Sequence, residues 1–167
     1  MRVESTTNLS HSFETSRSMT STLKGSITRS LDSDKEWSQA ADVLTALRPN
    51  LDRNQFVADR HRLTAEGYRL IAVKMDGAIV AIVSYVITPH PVYYRELQIH
   101  DMATSRPYQS KGFGSMLLAE LEKIAKDSNC GRCYVNSRAD RTAAHRFYEK
   151  NGYESYSTGF VKKVTPI

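Results

Sequence analysis

The stretch Gln109-Ser110-Lys111-Gly112-Phe113-Gly114-Ser115 decides how this chain is read. Upstream of it, Glu96 to Thr104 reads as a strand. Downstream, Met116, Leu117, Leu121, Ile124 and Ala125 fall on one face of a helix from Ser115 to about Asp127. The first amides of a helix lack intrahelical acceptors and carry about half a positive charge, so a glycine-containing turn that opens a helix suits a phosphate or pyrophosphate. Gly112 and Gly114 would let the backbone approach those oxygens with no Cβ in the way, while Lys111 and Ser115 add a cation and a hydroxyl. Two rival phosphate loops fail on spacing. The Walker pattern puts its lysine after a glycine, and Lys111 comes before Gly112; the dinucleotide fingerprint needs a third glycine that is missing here.

Outward from this turn, Asp76-Gly77 joins two β-branched runs, Tyr68 to Met75 and Ala78 to Ile87, into an antiparallel hairpin. A loop with Pro89 and Pro91 separates that hairpin from the strand at Glu96. Nearer the N-terminus, a short strand at Ile27 to Leu31 precedes a helix from Asp34, with Trp37, Ala40, Ala41, Leu44 and Leu47 at helical spacing and Pro49 as its stop. A second helix runs from an Asp52 cap to Gly67. Beyond the long helix, closed by Gly131, come a strand at Arg132 to Asn136, a helix from Thr142 to Lys150 stopped by Asn151-Gly152, and a last strand or hairpin at Tyr156 to Val164. Strand, turn, helix and strand in that order form a crossover unit, which makes the fold α/β.

With 167 residues and 18.9 kDa, the chain suits one domain. Nearly half of residues 1–30 are Ser or Thr, so residues 1–26 are read as a flexible tail and 27–167 as the domain. Glu4 and Glu14 argue against a transit peptide, and no signal-peptide apolar segment is present. No apolar run approaches the roughly 20 residues that span a bilayer, so no membrane partner is expected. The net charge of +5 favours an anionic ligand, but the basic residues are dispersed and no nucleic-acid recognition motif appears. Cys130 and Cys133 are too few for a disulfide-built scaffold, so a reducing, cytoplasmic setting is expected. Their Cys-Gly-Arg-Cys spacing lacks the further ligands of a zinc site, so no metal is expected. The pair lies where a helix ends, whereas a redox pair places its first thiolate at a helix N-terminus.

The run from Asp101 to Leu118 resembles the cofactor motif of the GNAT superfamily of acyl-CoA-dependent N-acyltransferases. A second stretch, Ala144-His145-Arg146-Phe147-Tyr148-Glu149-Lys150-Asn151-Gly152-Tyr153, is similar to that family's other hallmark, an aromatic-Tyr pair followed by Asn-Gly-Tyr/Phe. The resemblance covers about Ile27 to Val164. It implies a mixed, strongly twisted sheet of about six to seven strands with helices on both faces, and acetyl-CoA as co-substrate. The amides of Ser110, Lys111, Gly112, Phe113, Gly114 and Ser115 would hold the pyrophosphate. Met102, Ala103 and Thr104 would offer backbone groups to the pantetheine arm and thioester, where a bulge splays this strand from its parallel neighbour, an amide there serving as oxyanion donor. Two positions depart from the family pattern. Gln109 stands where the motif's first basic residue is often Arg, and Arg141 where an Asn is often found; Arg141 could instead reach a phosphate or an acidic substrate group.

Acyl transfer needs a neutral amine, and an alkylamine titrating near 10.4 is only on the order of a thousandth deprotonated at pH 7. Glu96, His100 and Asp101 lie on the strand entering the motif, and related acetyltransferases carry acids near His100-Asp101. An imidazole titrates near neutrality, which suits His100 as base, while Asp101 could act through water or orient a cationic substrate. Because strand neighbours face opposite ways, only one of the two is expected to reach the cleft. Tyr148 matches the family position that faces the departing thiolate. A phenol near 10 and a thiol near 8.5 make full transfer uphill by about 2 kcal/mol, which a charge-assisted hydrogen bond could offset. The alternative for Tyr148 is a core aromatic, since Ala144, Phe147 and Tyr148 share a face; His145 reads as a packing or surface residue. The expectation is therefore an N-acetyltransferase moving acetyl directly to a primary amine of a small molecule or peptide, as a monomer or homodimer, with no covalent enzyme intermediate. A non-catalytic acyl-CoA-binding regulatory module of the same fold is the alternative. Acceptor-side walls would come from the first helices, the loop from His90 to Arg95 and the chain end, which carry no motif.

Overall fold

A computed structural model describes residues 25–164. Nearly all of the Ser/Thr-rich segment expected to be a tail lies outside the described residues, as do residues 165–167. The elements in order are β1 (Ser26–Thr28), α1 (Asp34–Leu44), α2 (Arg53–Ala58), α3 (Arg60–Ala65), β2 (Arg69–Met75), β3 (Ala78–His90), β4 (Tyr94–Thr104), α4 (Phe113–Asp127), β5 (Arg132–Val135) and α5 (Thr142–Lys150). A 3-10 turn, Arg106–Tyr108, sits between β4 and α4.

The five strands form one sheet in the order β1-β2-β3-β4-β5, antiparallel up to β4 and parallel between β4 and β5. Asp76 and Gly77 both take positive φ, 49° and 79°, as the tight turn between β2 and β3 requires. Two apolar layers cover the sheet. On one face Trp37, Ala40, Val43 and Leu44 of α1 pack on Leu70, Ala72, Ile79 and Ile82. On the other, Phe113, Leu117, Leu118 and Leu121 of α4 pack on Ile71, Val73, Val83, Leu97 and Ile99. The alternation of sides along β2 and β3 is the period-2 pattern of a strand buried on both faces.

Local sequence explains the element ends. Ser33 and Glu36 form a reciprocal capping box at the start of α1. Behind α5, Tyr153 N–H donates to the Tyr148 carbonyl and Gly152 N–H to that of Glu149, a Schellman closure around Gly152 at φ 83°. The same closure ends α4, with Asn129 rather than Gly131 in the left-handed position.

Three expectations need correction. The sheet holds five strands among the described residues, not six or seven, because 156–164 forms no strand. Its apolar residues find no surface to bury, Phe160 and Val161 each being 95% exposed. The helix expected from Asp52 to Gly67 is two short ones meeting at Asp59, and neither buries a residue that would hold a single axis. Finally, β3 runs on to His90, with Pro89 opposite Arg95. Proline is tolerated there because β2 stops pairing at Tyr85, leaving β3 one free edge. Among the described residues no helix is long and apolar enough to cross a membrane.

Candidate active site

The sheet opens at one point. Parallel pairing of β4 with β5 ends at Ile99 opposite Val135, while β4 continues beside β3 through Thr104. At the same level the β3–β4 register jumps: Tyr85 faces Ile99 but Ser84 faces Asp101, so His100 is an extra, unpaired residue. This is a β-bulge, which increases local twist and re-aims side chains. Beyond it, Met102, Ala103 and Thr104 pair with Val83, Ile82 and Ala81 on one edge only. Their other edge faces the gap between β4 and β5.

The bulge corrects the expectation that only one of His100 and Asp101 reaches the cleft. Ile99 and Met102 both face the α4 layer, so the residues between them lie on the α1 side together. Asp101 receives Arg48 there, and His100 lies beside Tyr68, the rings 6.2 Å apart and tilted by 56°. The Asp101 N–H donates to the hydroxyl of Ser84, a fully buried side chain, at 3.0 Å. Arg48 places Nε and Nη2 on the single oxygen Oδ1 of Asp101, each at 2.7 Å. Burial pushes the Tyr68 phenol up to about 12; the Ser84 hydroxyl works against that, the Asp101 charge adds to it and Arg48 opposes it. Tyr68, Ser84, Asp101 and Arg48 are thus one connected group.

Across the gap stands the turn into α4. Gly112 holds φ 86°, in the left-handed region, and Ser110 takes φ 60° beside it. Among the described residues, no protein group accepts from the successive amides Ser110 through Ser115. That is the donor set a pyrophosphate requires, so the residues present fit a coenzyme A diphosphate. The two glycines differ in role. A Cβ at Gly112 would meet open space, so its backbone angle is what demands glycine. A Cβ at Gly114 would lie 2.9 Å from the Phe147 ring, so this glycine seats α5 against α4 instead of clearing a path for an anion. Gln109 differs from its neighbours in the turn, since its amide donates to the Arg106 carbonyl and its side chain to that of Thr104. It braces the turn. Lys111 lies over the Tyr108 ring at 5.3 Å.

Helix α5 brings Tyr148 to the gap, packed between Phe147 at 5.4 Å and Tyr153 at 5.6 Å. Burial raises its phenol above the ordinary value, Arg141 counteracts this and the Asp101 charge adds to it. Tyr148 therefore feels the opposing charges of Asp101 and of Arg141, at the start of α5. His145 Nε2–H donates to the Arg138 carbonyl, 2.9 Å away, fixing the loop before α5. Glu96 is paired with Arg132 on the far side of the bulge, with Arg132 Nη2 at 2.7 Å. Neither cysteine is activated: burial pushes Cys133 up to about 11 and also raises Cys130.

Arg48, Tyr68 and Ser84 were not among the candidates from sequence. Only Ser84 carries a signal, as the one small polar side chain inside the run from Ile79 to Ile87. Buried polar groups of that kind need a partner, and the bulge supplies one.

A profile of the Acetyltransferase (GNAT) family matches residues 32–153, and the chain belongs to that family. Among curated proteins it is similar to the uncharacterized N-acetyltransferase YhdJ of Bacillus subtilis (strain 168). The two are 32% identical over 141 residues, spanning 81% of this chain and 97% of that protein. Solved structures share the fold at lower identity. The aminoglycoside N-acetyltransferase AAC(6')-Iy in complex with CoA superposes with a TM-score of 0.73 at 12% identity, over 84% of this chain and 96% of that one. Glucosamine-6-phosphate N-acetyltransferase from Arabidopsis thaliana gives 0.70 at 18% identity, over 85% and 99%.

Proposed function

We propose that this acetyltransferase moves the acetyl group of acetyl-CoA directly to a primary amine, in a reducing cytoplasmic setting. The observation that carries the reading is the coincidence of unaccepted amides at Ser110 to Ser115 with the free edge of β4 at Met102 to Thr104. Acetyl-CoA would supply the activated thioester. The turn before α4 would hold the diphosphate, and backbone groups of Met102, Ala103 and Thr104 would hold the pantetheine arm and polarise the carbonyl.

In the transfer step the amine nitrogen bonds to the acetyl carbon, the carbon–sulfur bond breaks, and the amine gives up a proton. His100 and Asp101, placed side by side by the bulge, are the groups to receive that proton, directly or through water. Tyr148 faces the opposite need, a donor for the departing thiolate. Its raised phenol makes complete proton transfer less favourable than from a free tyrosine, so Tyr148 acts as a hydrogen-bond donor that stabilises developing negative charge. Burial raises both thiols and disfavours the thiolate, which supports direct transfer over a thioester on the enzyme.

The test is thiol release from acetyl-CoA over a panel of amines, with binding of CoA followed separately by calorimetry. Amine-dependent release is expected, with no acetylated enzyme after incubation with acetyl-CoA alone. CoA binding without release for any amine would instead assign the chain to a non-catalytic acyl-CoA-binding role.

A further inference from the structure

The acceptor side of the gap has an unusual charge arrangement. Asp101 is the acid at the bulge, and its side chain is only 12% exposed, while Arg48 above it is 57% exposed. Arg48 Nε donates to Oδ1, and Nη2 lies 2.7 Å from the same oxygen. Among the described residues, Oδ2 of Asp101 and Nη1 of Arg48 have no partner. The pair thus presents an open carboxylate oxygen and an open guanidinium edge next to each other. Of the acids on the flanking helices, Glu36 is matched by Lys74, Asp34 by Arg60, Asp42 by Arg53, and Asp59 and Glu66 by Arg62, while Asp52 serves as the cap of α2, accepting from the Gln55 N–H.

These facts bear on which amine fits. A polycation needs several unmatched carboxylates close together, and at the bulge it finds only Asp101, already half neutralised by an arginine that would repel it, with Asp52 tied to the α2 cap. An amine that also carries a carboxylate or phosphate meets complementary groups twice, its ammonium on Oδ2 and its anion on the guanidinium fork. We propose that the acceptor is an amine bearing an anionic group a few bonds from the reacting nitrogen, selected by Arg48 acting with Asp101. The inference rests on the acetyl-transfer reading and names the substrate class for that site. Lys111 and Arg141, on the far side of the gap, are also basic.

The experiment uses the full chain and matched amines that differ in the anion: glucosamine 6-phosphate against glucosamine, phosphoethanolamine against ethanolamine, with spermidine and neamine as polycations. Release of CoA thiol is followed at several amine concentrations. The anionic member of each pair should show the higher kcat/KM, by on the order of ten- to a hundredfold, the range of one charge-assisted hydrogen bond. Arg48→Ala should remove that preference chiefly through KM, and Arg48→Lys should keep part of it. Melting temperature and CoA affinity of each variant show whether it folds; if Arg48→Ala does not, the wild-type preference and Arg48→Lys decide. A preference for the uncharged or polycationic amines, or an equal loss for both members of each pair in Arg48→Ala, would overturn the inference while leaving acetyl transfer intact. Absence of thiol release with every amine, while CoA still binds, would overturn the acetyl-transfer reading and this inference with it.

Discussion

The two sides of the gap in the sheet are built by different means. The side facing α4 is made of backbone, with a run of amides and one left-handed glycine supplied by seven consecutive residues, Gln109 to Ser115. The side facing α1 is made of side chains from four separated positions, Arg48, Tyr68, Ser84 and Asp101, brought together only by strand pairing and helix packing. Backbone donors cannot be exchanged by substitution without changing the turn itself, whereas side chains can change one at a time. The difference suits a shared ligand on one side and a variable acceptor on the other.

The sharpest break of the backbone-built side is Gly114→Val. A branched side chain entering where Cβ already falls 2.9 Å from Phe147 must push α5 away from α4. We expect a loss of about 3 kcal/mol in stability, the upper end for overpacking, together with weakened CoA binding. Chemical denaturation measures the first and calorimetry the second; unchanged values in both would mean that the contact between the two helices does not support the turn.

Next in size is Tyr148→Phe, which removes a donor at the junction of the two sides. Turnover should fall by about 2 kcal/mol, or some thirtyfold, with CoA affinity unaltered. The pH dependence adds a second readout. Burial raises the phenol, so the neutral, donating form persists to higher pH than in a free tyrosine, whose phenol titrates near 10. The kcat of the wild type should therefore show no fall assignable to Tyr148 below about pH 10. An alkaline limb that starts earlier and vanishes in Tyr148→Phe would contradict the assigned role.

The smallest effect sharpens the side-chain-built half. Ser84→Ala deprives the Asp101 N–H of its acceptor and should cost about 1 kcal/mol of stability, the low end for an unsatisfied buried donor. Because that hydrogen bond pins the bulge, KM for the amine should rise while CoA affinity holds. An unaltered amine KM would show that the bulge keeps its shape without the serine.

Legibility of the molecule in its sequence follows the same divide. Hairpin, long helix, motif turn and closing Asn-Gly turn depend on neighbours within a few residues, and each of them stands where periodicity and turn chemistry put it. Residues 156–164 mislead because alternating β-formers report propensity but not whether a surface exists to cover them. The pairing of His100 with Asp101 on one face misleads for another reason. Strand alternation assumes a continuous ladder, and a bulge breaks it where no local residue type announces the break.

What the chain's order of residues determines by itself is the glycine turn with its unaccepted amides and the crossover around it, because hydrogen-bond donors at a helix start and the φ of Gly112 are local properties. What only the tertiary structure decides is the side-chain cluster on the α1 side of the gap. Arg48 and Asp101 lie fifty-three positions apart, and their meeting depends on packing α1 across β3 and β4, where the burial of apolar side chains, not any short-range preference, sets the distance.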